Sequence, residues 1–134
     1  MSEMTKYARV SRVEDFFIFL LTKYGVSENI FVSRLPVTIK SSWNDMVLID
    51  VGKGVNRNAY RSFSVNIFLY GRPIGSLQQK NVKVIDAMEQ KLLTAITECH
   101  DNHYHPVTSW SDSDYDTTRN FHYNVLNFQV LVND

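Results

Sequence analysis

The clearest pattern along the chain lies between positions 60 and 70. There Phe63, Val65, Ile67 and Leu69 alternate with Ser62, Ser64, Asn66 and Phe68. A period of two predicts a strand with one face packed and the other mostly wet, and Gly71, Arg72 and Pro73 stop it. Between 82 and 98 the period changes. Val82, Ile85, Met88, Leu92 and Ile96 recur three and four apart, with Lys83, Asp86, Gln90 and Lys91 between them, which predicts an amphipathic helix capped by Asn81. Its stripe faces a sheet, and Glu89, close to that stripe, must reach the sheet's edge.

A first helix is expected over 13–24. Ser11 is its expected cap with Glu14 three residues on, Glu14 and Asp15 suit the positive end of the dipole, and Gly25 offers the stop. Phe16, Phe17, Phe19, Leu20 and Tyr24 cover more than one of its faces, so it either lies deep in its own core or lends a face to a partner. Ile30, Phe31 and Val32 read as a short strand broken by Pro36, and residues 45–51 as a better one. The glycines and charges of 52–58 suggest a mobile connection, and 75–79 a linker. A strand over 104–112, an acidic turn over 112–116 and a long strand over 121–132 complete the pattern. Within that last strand Phe121, Tyr123 and Val125 are out of phase with Leu126, Phe128, Val130 and Val132, which predicts either a bulge or burial on both faces.

The order is helix, strands, helix, strands. Short polar turns favour antiparallel pairing, and two helices can cover only one face of a small sheet. The expected fold is α+β, a two-layer sandwich in which two helices pack on a mostly antiparallel sheet of about four to five strands. Residues 1–134 form a single domain with a flexible N-terminal stretch of about ten residues. No third layer is expected over Phe68 and Tyr70, so an exposed aromatic face would point to a partner.

The chain has 134 residues, 44 % hydrophobic and 13 % aromatic, which fits one folded domain and excludes a disordered chain. Its net charge is zero, which speaks against a uniformly basic nucleic-acid binder and a polybasic membrane protein. The zero conceals a sorting. Twelve basic and six acidic residues up to Lys83 give +6, and two basic against eight acidic residues thereafter give −6. Either the two signs mix in space, or one surface is basic and another acidic, and then copies can join head to tail. The longest apolar run, Phe16 to Leu21, is far shorter than the ~20 residues of a membrane span, and neither a signal peptide nor a membrane role is expected. One cysteine, Cys99, excludes a disulfide within one chain and fits a reducing compartment.

Candidate chemistry is sparse. His100, His103 and His105, close to Cys99, are the compact set of metal-type donors, with His103 and His105 expected on one side of a strand and His122 as a distant third. The same histidines suit a helix C-terminus without any metal. Asp112, Asp114 and Asp116 alternate like calcium ligands but lack an EF-hand's glycine and closing glutamate. Lys53, Arg57 and Arg61 could meet phosphates or remain solvated. No nucleophile motif, phosphate loop or dinucleotide fingerprint is present, so neither an enzyme nor a cofactor is expected.

The whole run of elements, from Phe31–Pro36 through Asp45–Val51 and Arg61–Gly71 to Asn124–Val132, resembles the tail terminator and tail-completion (head–tail joining) proteins of tailed bacteriophages. The resemblance implies a small α+β structural subunit with no catalytic residues. It implies a homo-oligomeric ring, a hexamer, that caps the tail tube and docks on the head connector, with DNA passing through the lumen without sequence-specific binding. The implied place is the neck of a virion assembled in the host cytoplasm. By position, Lys53, Arg57, Arg61, Phe68, Tyr70, Asp112, Asp114 and Asp116 are the expected oligomer or partner contacts. Two alternatives stand beside it: a small metal-dependent or ligand-binding domain centred on His100, His103 and His105, and a bacterial interaction module of the same fold.

Overall fold

The computed structural model describes residues 6–133. Helix α1 (Val10–Lys23) is followed by strands β1 (Ile30–Val32), β2 (Asp45–Asn56) and β3 (Arg61–Gly71), helix α2 (Val82–Thr97), and strands β4 (Tyr104–Asp116) and β5 (Phe121–Val132). The five strands form one sheet in the order β1-β2-β3-β5-β4. β1 runs parallel to β2 and every other neighbouring pair is antiparallel. Both helices pack on the same face, which is the expected two-layer α+β fold.

Helix α1 begins three residues before the expected start. Arg9 is its N-cap and makes no side-chain cap bond, so Ser11 and Glu14 lie inside the helix and cap nothing. Burial, with Asp15 and Asp50 adding to it, raises the Glu14 carboxyl above the ordinary range. The C-terminus follows the pattern. Gly25 has φ +62, Val26 N–H donates to Leu21 O (3.0 Å) and Gly25 N–H to Thr22 O (3.2 Å), closing a Schellman motif with Val26 buried beneath it. Phe16, Phe17, Leu20 and Leu21 enter the core, where Phe17 meets Phe128 at 6.0 Å between ring centroids. Phe19 stays exposed under the Lys23 ammonium.

In α2 the Asn81 side chain accepts from Val84 N–H at 3.4 Å, and Ile85, Met88, Leu92 and Ala95 are buried. Glu89 reaches the sheet at the interior strand β5 and not at an edge strand, its Oε1 accepting from Asn124 Nδ2 (3.3 Å). The helix lies close on β3 because Gly71 has no side chain: a Cβ there would stand 2.7 Å from Ile85 Cγ1.

The strands correct the sequence reading in two places. Residues 52–56 belong to β2 and form no mobile loop, because a bulge between Val51 and Gly54 takes up the extra residues and the pairing with β3 resumes. A Cβ at Gly54 would stand 2.7 Å from the Phe63 ring. Likewise Asp112, Asp114 and Asp116 lie in β4, which runs past a bulge between Thr108 and Trp110 to turn only at 117–120. Strand β5 has no bulge. Its pairing with β3 is unbroken from Arg61↔Val132 to Gly71↔His122, and residues 124–128 are buried on both faces.

Positions 1–5 of the expected flexible stretch lie outside the described residues. From Lys6 the chain is docked: Ala8 is buried, the Tyr7 ring stacks on His103 at 3.6 Å, and Tyr104 Oη donates to Tyr7 O (3.0 Å).

The contact at Gly71 gives a direct test of the helix–sheet fit. Gly71→Ala is expected to destabilise the fold by about 1–3 kcal/mol through overpacking. In denaturant melts the double variant with Ile85→Ala should lose less than the two single losses combined, whereas simple additivity would show that the two positions do not press on each other.

Candidate interaction surface

Side-chain alternation divides the sheet into a face that meets the helices and an outer face. Phe63, Val65, Ile67 and Leu69 of β3 and Leu126, Phe128, Val130 and Val132 of β5 meet the helices. Ser62, Ser64, Asn66, Phe68 and Tyr70, opposite Leu131, Gln129, Asn127, Val125 and Tyr123, form the outer face. β4 continues it with Trp110, Asp112, Asp114 and Asp116, paired with Asn127, Val125, Tyr123 and Phe121.

The outer face has two parts. Over its middle runs a polar ladder, in which Asn127 Nδ2 donates to Asn66 Oδ1 (2.7 Å) and Ser64 Oγ (3.0 Å), and Gln129 Nε2 donates to Asn127 Oδ1 (3.2 Å). These bonds satisfy the buried Asn127 amide. Beyond the ladder lies an aromatic cluster of Tyr70, Phe121, Phe68 and Tyr123 packed with Met46, with the Tyr70 and Tyr123 ring centroids 5.0 Å apart.

The segment 33–44 covers part of that cluster, which overturns the expectation of bare aromatics. Leu35 is buried in it, and Phe31, Ile39 and Trp43 pack against it. Arg72 clamps the segment, donating from Nε to Trp43 O (2.9 Å) and from Nη2 to Lys40 O (3.0 Å), with its guanidinium 4.8 Å from the Phe121 ring. Tyr70 is therefore only 6 % exposed and offers no contact surface, while Phe68 is half-buried. No hydrophobic period marks 33–44, so its role as a cover was invisible in the sequence.

The charged residues separate. Arg61 turns inward, donating from Nη1 to Ala8 O (3.3 Å) and from Nη2 to Gly54 O (3.5 Å), so it holds the N-terminal segment and is not a surface contact. Lys53 and Arg57 remain exposed at the β2–β3 tip. Asp112 and Asp114 are exposed on β4, and Asp116 binds Arg119 at 3.2 Å in the one ion pair among the described residues. β4 and β2 lie on opposite sides of the central pair β3·β5. Lys53 and Arg57 thus sit toward one edge of the sheet and Asp112 and Asp114 toward the other, while the exposed Asp50 lies on β2 and the Lys80 ammonium stands 3.2 Å from Ser113 Oγ of β4.

The histidines do not converge. His100 and His105 are exposed, and His103 is held by the Tyr7 ring and by Asn133 O, 3.1 Å from its Nδ1. Among the described residues no three His, Cys, Asp or Glu side chains are placed to hold a metal ion. No helix among them is long and apolar enough to cross a membrane. The fold and surface define a small α+β domain with a charged strand at one sheet edge. No known protein family matches the chain, and no curated protein matches it in sequence.

Burial pushes the Tyr70 hydroxyl up to about 12, with the Asp116 carboxylate and Tyr123 adding to the shift. Burial first, then Asp114, Asp116 and Asp112, raises Tyr123 in the same direction. A phenol whose folded value lies above its unfolded value of 10.0 stabilises the fold fully below pH 10, and that contribution is lost between pH 10 and about 12. Tyr70→Phe is expected to flatten the fall of melting temperature over this alkaline window. An unchanged fall would show that Tyr70 does not carry it.

Proposed function

We propose that this chain is a non-enzymatic structural subunit that assembles with copies of itself into a ring. We assign it to the tail terminator or head–tail joining class of tailed-phage proteins. The observation that carries the reading is the separation of Lys53 and Arg57 from Asp112 and Asp114 toward opposite edges of the sheet. Surfaces of opposite sign at different places on one subunit favour head-to-tail contacts, and such contacts close into rings when the rotation allows. A two-layer α+β domain of this size also agrees with the element order on which the resemblance rests. In this role the ring, a hexamer, caps the tail tube and faces the head connector in the neck of the virion, and DNA passes through it without base-specific contacts.

Mass spectrometry of purified tails from particles encoded alongside the gene should detect the chain at ring stoichiometry. Disrupting the gene should yield tails of uncontrolled length or tails that fail to join heads, restored by adding the protein. Tails that lack the chain and are normal in length and joining would overturn the reading.

A further inference from the structure

β4 is an edge strand of thirteen residues, and among the described residues no strand pairs along its outer side. Val107 (55 % exposed) and Trp110 (49 %) stand on it beside the three aspartates. On the other side of the sheet β1 pairs only with Val47–Ile49 of β2, which leaves 51–56, paired with β3 on one side, with no strand among the described residues on the other. Unpaired edges are templates for further pairing, and charges are the usual protection. Here the protection is selective. Aspartates opposite aspartates oppose pairing of β4 with β4, and Lys53 and Arg57 oppose pairing of two β2 tips, but β4 against β2 brings opposite signs together.

We propose that β4 of one copy pairs antiparallel with residues 51–56 of β2 in the next copy, joining the sheets head to tail. The inference rests on the self-assembly part of the proposed function and names its interface. Strand directions allow it, since β2 and β4 run opposite ways within one subunit and do so again between copies in the same orientation. If the helices are to stay on one side, helix-facing positions must meet helix-facing positions. Asn56, paired with Arg61, and Ser111, paired with Leu126, both lie on that side. Setting Asn56 opposite Ser111 places Val55 by Asp112, Lys53 by Asp114 and Arg57 by Trp110, and it keeps the incoming strand clear of β1.

This register also has the offset that a closed sheet needs. Within a subunit Asn56 is level with Tyr104, and Ser111 lies six rows further along β5, from Val132 to Leu126. Six rows are about 20 Å and four strands are about 19 Å wide, which corresponds to a strand tilt of about 45°, at the upper end of the range for closed barrels.

The test uses the full chain with Cys99→Ser, carrying Asn56→Cys in one preparation and Ser111→Cys in another, each checked for an unchanged melting temperature. On mild oxidation the mixture should give a disulfide-linked dimer at least about tenfold above either preparation alone and above a Lys83→Cys control on α2, and a chain with both cysteines should give a ladder. Lys53→Glu with Arg57→Glu should abolish the link, and Asp112→Lys with Asp114→Lys in the partner preparation should restore it. Efficient dimers from Ser111→Cys alone would overturn the proposal in favour of β4 pairing with itself. A mixed yield at the control level would also overturn it, and if light scattering then still shows assemblies, the ring reading survives without this interface.

Discussion

A one-residue slip between β3 and β5 would turn Phe63, Val65, Ile67 and Leu69 away from the helices and bring Ser62, Ser64 and Asn66 into the core. The pairing from Arg61↔Val132 to Gly71↔His122 therefore sets both layers at once. On one side it presents Phe128 to Phe17 and leaves the Gly71 gap into which Ile85 fits. On the other it lines up Asn66 with Asn127 and Phe68 with Val125, so the polar ladder and the aromatic cluster follow from the same register.

The outer face shows how a two-layer domain manages a sheet side with no helix on it. Half of it is closed by side-chain hydrogen bonds among Ser64, Asn66, Asn127 and Gln129, which satisfy one another without a covering layer. The aromatic half is partly covered by the irregular 33–44 segment, held by the Arg72 guanidinium through two backbone carbonyls and the Phe121 ring. Such a segment has no periodic pattern because it follows the contour of the sheet and forms no regular element.

What is left open is at the edges, where aspartates dominate β4 and Lys53 and Arg57 mark the end of β2. Asp112 and Asp114 are exposed on β4, their carboxylates accepting from the backbone N–H of Ser113 and Tyr115, and Lys53 and Arg57 stand at the β2–β3 tip. A strand edge that carries Trp110 among its aspartates keeps apolar surface that a neighbouring copy would bury, and the sign of the charges limits which edge that neighbour presents.

Hydrophobic periodicity determined α2, β3 and most of β5, a short apolar run marked β1, cap and stop residues with an apolar run marked α1 to within a few residues, and the order of elements gave the α+β class with both helices on one face. Those signals are local, since a period of 3.6 or of two is written in neighbouring residues. It misplaced what depends on distant partners. Glycines in β2 and aspartates in β4 look like turn residues, yet cross-strand pairing with β3 and β5 carries both strands onward through bulges. Helix α1 starts at Val10 without the cap that Ser11 and Glu14 suggested, because packing of Phe16, Phe17 and Leu21 on the sheet sustains it. The charge split of +6 and −6 was legible as arithmetic. Only the tertiary structure could decide that Arg61 turns inward, that Tyr70 is covered, and that Lys53 and Arg57 lie toward the edge opposite Asp112 and Asp114. Sheet order is set by non-local pairing, and no local pattern along the chain encodes it.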